Sequence, residues 1–158
     1  MQTERTTNTT DWTKVAEIEL HYKTTVKPSE RPKVSCSADC YQLFLQSWND
    51  NTLDYLEQFK IMLLNRAHKV LGIVEISTGG TTGTVADPKV ILAAALRGAA
   101  CGIILCHCHP SGSLEPSRSD ELLTAKLVQG AAYMDLKIYD HIILTRDEYF
   151  SFADNGLL

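Results

Sequence analysis

The sequence lacks any apolar run long enough to cross a membrane, and its longest apolar stretches have the length of a strand. Its first twelve residues, MQTERTTNTTDW, contain no apolar segment of the kind found in secretory signals. Its five cysteines are an odd number, which argues against a disulfide framework when no secretory signal is present. These absences predict a cytoplasmic protein that has no membrane association.

The sequence also lacks a cluster of basic residues. The net charge is −4 at pH 7, and the lysines and arginines are scattered along the chain. A surface that binds nucleic-acid phosphates needs a local excess of positive charge. The composition leaves room for a local basic face, but it gives no indication of a nucleic-acid partner.

Strand and helix patterns alternate over most of the 158 residues. Residues 1–12 are polar and predict a flexible tail, and residues 15–22, VAEIELHY, alternate like a half-buried strand. The runs FKIMLLN and KVLGIVEIS predict a hairpin of buried strands, and Asp87 followed by Pro88 predicts a helix start. We therefore expect one mixed α/β domain over residues 13–158, with a sheet flanked by helices.

The run CGIILCHCH predicts a buried strand that ends in two histidines. Side chains alternate along a strand, so His107 and His109 share one face about 6.5–7 Å apart, and Cys106 and Cys108 face the other way. That spacing lets both imidazoles reach one metal ion. A bare His-x-His pair is a weak indication, because a polar strand end can carry two histidines without a metal.

The residues that follow strengthen the metal interpretation. Pro110 and Gly112 predict a turn, after which Ser117 and Asp120 lie at the start of a helix. An aspartate there, directed back at two neutral imidazoles, gives three protein ligands and one open position, as in catalytic zinc sites. The same Ser-x-x-Asp pattern approximates a capping box, which needs no metal. The two interpretations are compatible, and the spacing to the histidines favours a metal.

A hydrolytic zinc site also needs a general base, and Glu75 is the candidate. It lies near the end of an apolar run and just before the glycine-rich segment STGGTTGTV. Burying a glutamate without a partner is costly, but strand alternation does not decide which face Glu75 takes. An ordinary outward-facing residue is the alternative. Whether the glycine-rich segment, residues 78–83, is a lid is left open.

Taken together, these residues resemble the JAMM motif of the JAB/MPN metalloenzymes, Glu…His-x-His-Pro-x6-Ser-x2-Asp. The matching positions are Glu75, His107, His109, Pro110, Ser117 and Asp120. The segments HPSGSLEPSRSD, ADPKVILAAALRGAA and YDHIILTRDEYFSF are similar to the RadC-like branch of that family. That branch usually has Asn between the two histidines, where this chain has Cys108. Asp140-His141 matches its Asp-His pair, which either orients a ligand or is a polar pair at a strand edge.

The resemblance implies a mixed sheet flanked by helices and a zinc-dependent metallopeptidase. His107, His109 and Asp120 would bind Zn²⁺, Glu75 would move a proton from water to the leaving amine, and Ser117 would steady the oxyanion. The substrate would be a protein or peptide, cleaved at an amide bond that is often an isopeptide bond.

Two other functions are compatible with the sequence. One is a catalytically silent binding module that keeps a metal-stabilised MPN-like fold. The other is an accessory role in DNA repair or recombination. The negative charge and the absence of an N-terminal helix-hairpin-helix pattern, which full-length relatives carry, argue against the second. The sequence does not indicate the oligomeric state.

Overall fold

The computed structural model describes Glu19, residues 23–81 and residues 83–158. The predicted tail over residues 1–12 lies outside the described residues. The predicted strand over residues 15–22 also lies outside them, apart from Glu19.

Strands and helices alternate in the described part of the chain, as the sequence patterns predict. The elements in chain order are α1 (Ser37–Ser47), β1 (Gln58–Leu64), β2 (Val70–Thr78), α2 (Pro88–Arg97), β3 (Gly102–Cys108), α3 (Arg118–Ala132), β4 (Lys137–Leu144) and β5 (Tyr149–Ser151). The predicted hairpin is confirmed, since β1 and β2 pair in antiparallel fashion. The predicted start of α2 is also confirmed, because the Asp87 side chain accepts a hydrogen bond from the Lys89 amide.

The five strands form one mixed sheet in the order β2-β1-β3-β4-β5. β3 is the central strand, antiparallel to β1 and parallel to β4. A parallel pair needs a crossover connection, and α3 supplies it between β3 and β4. The expected fold class, a mixed α/β domain with helices on the sheet, is confirmed.

Each face of the sheet carries its own hydrophobic core. On the α1 face, Phe44 of α1 and Trp48, which directly follows that helix, pack with Met62, Cys106 and Cys108 of the sheet. The opposite face, which we call the α2/α3 face, is built from residues of three strands and two helices: Phe59, Ile61, Leu63, Ile91, Ala95, Ile103, Leu105, Leu127, Ala131 and Ile138. The alternation along β3 therefore directs Ile103, Leu105 and His107 to the α2/α3 face.

All five cysteines lie in the described part of the chain and all are free. The expectation that they form no disulfide framework is confirmed. Cys106 and Cys108 are fully buried in the α1-face core, as the strand pattern predicts. Among the described residues, no helix has the length and apolar character that a bilayer span requires.

Candidate metal centre

The two histidines of the His-x-His pair meet at the carboxyl end of β3. Their Nε2 atoms lie 3.0 Å apart, so the expectation that both rings converge on one point is confirmed. The His107 side chain is 1% exposed, and its ring stacks parallel to that of Phe59 in β1. His109 lies one residue beyond the strand and is half-buried.

A chain of hydrogen bonds holds the His107 ring from behind. His107 Nδ1 lies 2.8 Å from Nε2 of His141, and His141 Nδ1 lies 2.6 Å from the Thr124 hydroxyl. That hydroxyl donates its proton to the Asp120 carbonyl at 2.6 Å. Because it has one proton, it accepts from Nδ1–H of His141, whose Nε2 then accepts from Nδ1–H of His107. This order leaves Nε2 of His107 without a proton.

The second histidine is fixed in the same tautomer. His109 Nδ1 lies 2.7 Å from the Ser113 carbonyl oxygen, which only accepts, so Nδ1 carries the proton and Nε2 is bare in the neutral ring. Two bare nitrogen lone pairs therefore face each other across 3.0 Å. Lone pairs in this arrangement repel, and a cation between them removes the repulsion. The donors thus fit a metal ion that prefers imidazole nitrogen.

Burial lowers the pKa of His107 and of His141 and so favours the neutral ring, the form in which an imidazole binds a metal. Desolvation lowers the pKa of His107 from 6.5 to about 4, although the nearby Asp120 carboxylate acts in the opposite direction. The pKa of His141 is lowered well below its ordinary value, chiefly by burial and then by the neighbouring His107 and His109 rings.

Ser117 and Asp120 form the capping box that the spacing predicts at the start of α3. The Asp120 amide donates to Ser117 Oγ, and Asp120 Oδ2 accepts from the Ser117 amide at 2.8 Å. The Ser117 hydroxyl also donates to Oδ2 at 2.6 Å. The other oxygen, Oδ1, lies 3.5 Å from His107 Nε2, and the Asp120 side chain is 15% exposed. The capping role and the position beside the histidines therefore occur together.

Glu57 supplies a carboxylate that the sequence interpretation missed. Its carboxylate, His107 and His109 each place a ligand atom within 4.8 Å of the other two. Glu57 precedes β1 and lies two residues before Phe59, so an extended backbone directs it to the α2/α3 face. Burial raises its pKa, and His109 and a hydrogen bond from the Thr84 amide act to lower it.

Glu75, the candidate general base of the sequence interpretation, lies beside Lys60 and not beside the histidines. Glu75 is paired with Lys60 in the β1–β2 register, and its Oε2 lies 3.9 Å from Lys60 Nζ. Its carboxylate also accepts hydrogen bonds from Gln58 Nε2 and the Thr78 hydroxyl. Lys60 stands over the Trp48 ring on the α1 face, so Glu75 lies across the sheet from His107. Glu75 is thus an ion-pair partner of Lys60, whose ammonium also donates a hydrogen bond to the Ser47 carbonyl at 2.9 Å.

The neighbours Asp140 and His141 serve opposite faces of the sheet. His141 is the residue that orients His107, as the ligand-orienting alternative predicted. Asp140 instead accepts hydrogen bonds from the Ser151 hydroxyl and the Ala153 amide, and it lines a cavity with Cys40 on the α1 face. Burial raises the pKa of Asp140, while these hydrogen bonds act to lower it.

The sequence carried a weak indication of Glu57. A carboxylate directly precedes the fully buried strand β1, and β1 runs antiparallel to the histidine strand. The start of one antiparallel strand lies beside the end of its neighbour, which brings Glu57 to the histidines. The closeness of Glu57 to the histidines follows from the β1–β3 pairing, whereas the sequence pattern predicted only the β1–β2 hairpin. Thr124 gave no comparable indication, because its role depends on how α3 packs on β4.

The fold and the site together define a mixed α/β domain with a candidate metal-binding group at the carboxyl end of its central strand. The family model of the RadC-like JAB domain matches residues 34–157. The chain therefore belongs to the RadC-like JAB domain family. A stretch of 101 residues, 64% of this chain, is 41% identical to a UPF0758 protein of Flavobacterium johnsoniae. The matched stretch spans 44% of that relative's length.

Proposed function

We propose that the protein is a zinc-dependent hydrolase that cleaves an amide bond in a protein or peptide substrate. The observation that carries the proposal is the pair of unprotonated Nε2 atoms, 3.0 Å apart, with the carboxylates of Asp120 and Glu57 beside them. Membership in the RadC-like JAB family supports it, since the resemblance to JAB/MPN peptidases implies the same chemistry.

His107, His109 and Asp120 would hold the ion. Asp120 suits this role because Ser117 fixes Oδ2 and leaves Oδ1 toward His107. Imidazole and carboxylate form a usual donor set for catalytic zinc, with three protein ligands. Bound zinc would polarise the substrate carbonyl and lower the pKa of its bound water toward about 7.

Glu57 is the proposed general base. Its carboxylate would accept a proton from the attacking water and deliver it to the nitrogen of the leaving amine. Burial raises the pKa of Glu57, which brings its proton affinity closer to that needed near neutral pH. The same group thus serves as base and then as acid.

Ser117 is proposed to donate a hydrogen bond to the oxyanion that forms from the substrate carbonyl. Its hydroxyl donates to Asp120 Oδ2 in this structure, so the donor would exchange that partner for the oxyanion. A polar cavity of about 320 Å³ opens beside His109 and offers room for a substrate segment. Its lining includes Pro110, Gly112 and Arg146.

The ligand and base roles are tested by comparing zinc content in Glu57→Gln and Asp120→Ala. We expect Glu57→Gln to keep zinc and to lose turnover of a fluorogenic peptide-amide library. We expect Asp120→Ala to lose zinc. If Glu57→Gln loses zinc and Asp120→Ala keeps it, the two carboxylates have exchanged roles. If wild-type protein with bound zinc turns over no member of the library and no isopeptide-linked substrate, the hydrolase proposal fails.

A further inference from the structure

The side chain of Cys108 contacts the backbone on both sides of Glu57. The Gln58 amide donates to Cys108 Sγ at 3.3 Å, and the Cys108 thiol donates to the Leu56 carbonyl at 3.2 Å. The sulfur is fully buried and lies on the α1 face, behind the candidate metal centre. Its two hydrogen bonds are therefore to backbone groups and not to the side chains of His107, His109 or Asp120.

These contacts occur where backbone pairing between β1 and β3 stops. The register of the two strands ends with Phe59 opposite His107. Beyond that pair, Leu56 and Gln58 offer a carbonyl and an amide toward β3. A buried backbone group without a partner is costly, and Cys108 Sγ supplies both a donor and an acceptor there.

The glycine-rich loop holds Glu57 from the other side. The Glu57 amide donates to the Gly80 carbonyl at 3.0 Å, and the Gly79 amide donates to the Glu57 carbonyl at 2.8 Å. In extended backbone, the polar groups of one residue point opposite to those of its two neighbours. Four backbone groups around Glu57 thus have hydrogen-bond partners. The loop pairs with the amide and carbonyl of Glu57, and the sulfur of Cys108 pairs with the Leu56 carbonyl and the Gln58 amide.

We propose that Cys108 is a positioning residue that holds the backbone at Glu57, so that the carboxylate stays beside His107 and His109. The proposal rests on the proposed role of Glu57 as general base. Its physical basis is that a misplacement of about 1 Å at a reacting group can cost on the order of 100-fold in rate. The thiol acts through hydrogen bonds to the backbone and takes no part in the reaction itself.

The test compares substitutions that keep or remove the two hydrogen bonds. Cys108→Val keeps an apolar side chain and removes both bonds. Cys108→Ser keeps one donor and one acceptor on a single atom, and Cys108→Asn places them on separate atoms. The control is Cys106→Val, because Cys106 is equally buried on the same strand and the same face.

The first readout is amide hydrogen exchange, which requires no substrate. We expect exchange at Gln58 to be at least about 10-fold faster in Cys108→Val than in Cys106→Val, because the acceptor for that amide is lost. Cys108→Ser and Cys108→Asn should restore slow exchange. Equal exchange in the two valine variants would overturn the proposal, whether or not the protein is a hydrolase.

The second readout is turnover of the fluorogenic peptide-amide library by zinc-loaded protein. Cys108→Val should lower kcat about 10- to 100-fold at unchanged zinc content, with rescue by serine or asparagine. In a Glu57→Gln background, Cys108→Val should cause no further loss of the residual turnover, because both changes act on one group. A further loss there, or an equal loss in Cys106→Val, would overturn the positioning role. Full activity of Glu57→Gln would instead refute the proposed base and leave the exchange result to decide the backbone contact.

Discussion

His141 Nε2 lies 2.8 Å from His107 Nδ1, and both rings are almost completely buried. His141 is in turn fixed by the hydroxyl of Thr124, so the face that His107 presents to the site is decided by a residue of α3. An orienting partner of this kind fixes the tautomer of a metal ligand and raises its basicity. We therefore expect the affinity of the candidate metal centre for an ion to depend on residues that are not ligands themselves.

Replacement of Thr124 tests this dependence. Thr124→Val leaves Nδ1–H of His141 without an acceptor, at a cost of about 1–3 kcal/mol in the free energy of unfolding. We expect zinc affinity to fall about 10- to 100-fold, as for other residues that orient ligands. Thr124→Ser keeps the hydroxyl and is the matched control. Calorimetric titration with Zn²⁺ measures the effect, and equal affinity in the valine and serine variants would refute the tautomer assignment.

The two glutamates on opposite faces of the hairpin give a second prediction. Glu75→Gln removes the charge beside Lys60 and does not alter the α2/α3 face of the sheet, where His107 lies. We expect zinc content and turnover to stay at the wild-type level. The loss of stability should be small, because the Glu75 side chain is 51% exposed and solvent weakens its ion pair. Turnover lost in Glu75→Gln but kept in Glu57→Gln would reinstate Glu75 as the base.

The lowered pKa of His107 predicts how the metal-free protein responds to acid. The pKa of His107 is about 4 in the folded protein and 6.5 in the unfolded chain. Between these two pH values the unfolded chain therefore binds more protons than the folded protein. The contribution of the neutral His107 ring to the free energy of unfolding is complete above pH 6.5, and it is lost as the pH falls toward about 4. The raised pKa values of Glu57 and Asp140 act in the opposite direction.

The check is an NMR titration of the His107 ring in metal-free protein, together with thermal unfolding across the same pH range. We expect the ring to remain neutral at pH 6 and the melting temperature to fall as the pH is lowered from 6.5. A titration midpoint near 6.5 would contradict the burial of this imidazole.

The loop beside Glu57 provides a fourth prediction. A Cβ at Gly79 would collide with the Gly83 carbonyl and the Thr84 Cα, whereas a Cβ at Gly80 meets no atom within 4 Å. Gly79→Ala should displace the loop and weaken its backbone bonds to Glu57, and turnover should fall about 10- to 100-fold. Gly80→Ala is the matched control and should keep both stability and turnover. Comparable kcat values in the two variants would show that the loop does not position Glu57.

Much of the fold was predictable from the sequence, because it follows from local patterns. The buried strands, the caps at Asp87 and Ser117, and the shared face of His107 and His109 all depend on residues close together in the chain. The choice between Glu57 and Glu75 depends instead on sheet order and on a register shift between Phe59 and Lys60. Such long-range pairing leaves no local pattern, so the sequence interpretation selected Glu75, although Glu57 is the glutamate that lies beside His107 and His109.

The central claim is that His107, His109 and Asp120 form a zinc site, and zinc binding to the metal-free protein tests it most directly. Titration with Zn²⁺, followed by metal analysis after dialysis, should give one ion per chain in the wild-type protein. The same measurement should give no retained ion in His109→Ala and in Asp120→Ala, with both variants folded. A wild-type protein that retains no zinc, or variants that retain as much as the wild type, would contradict the account.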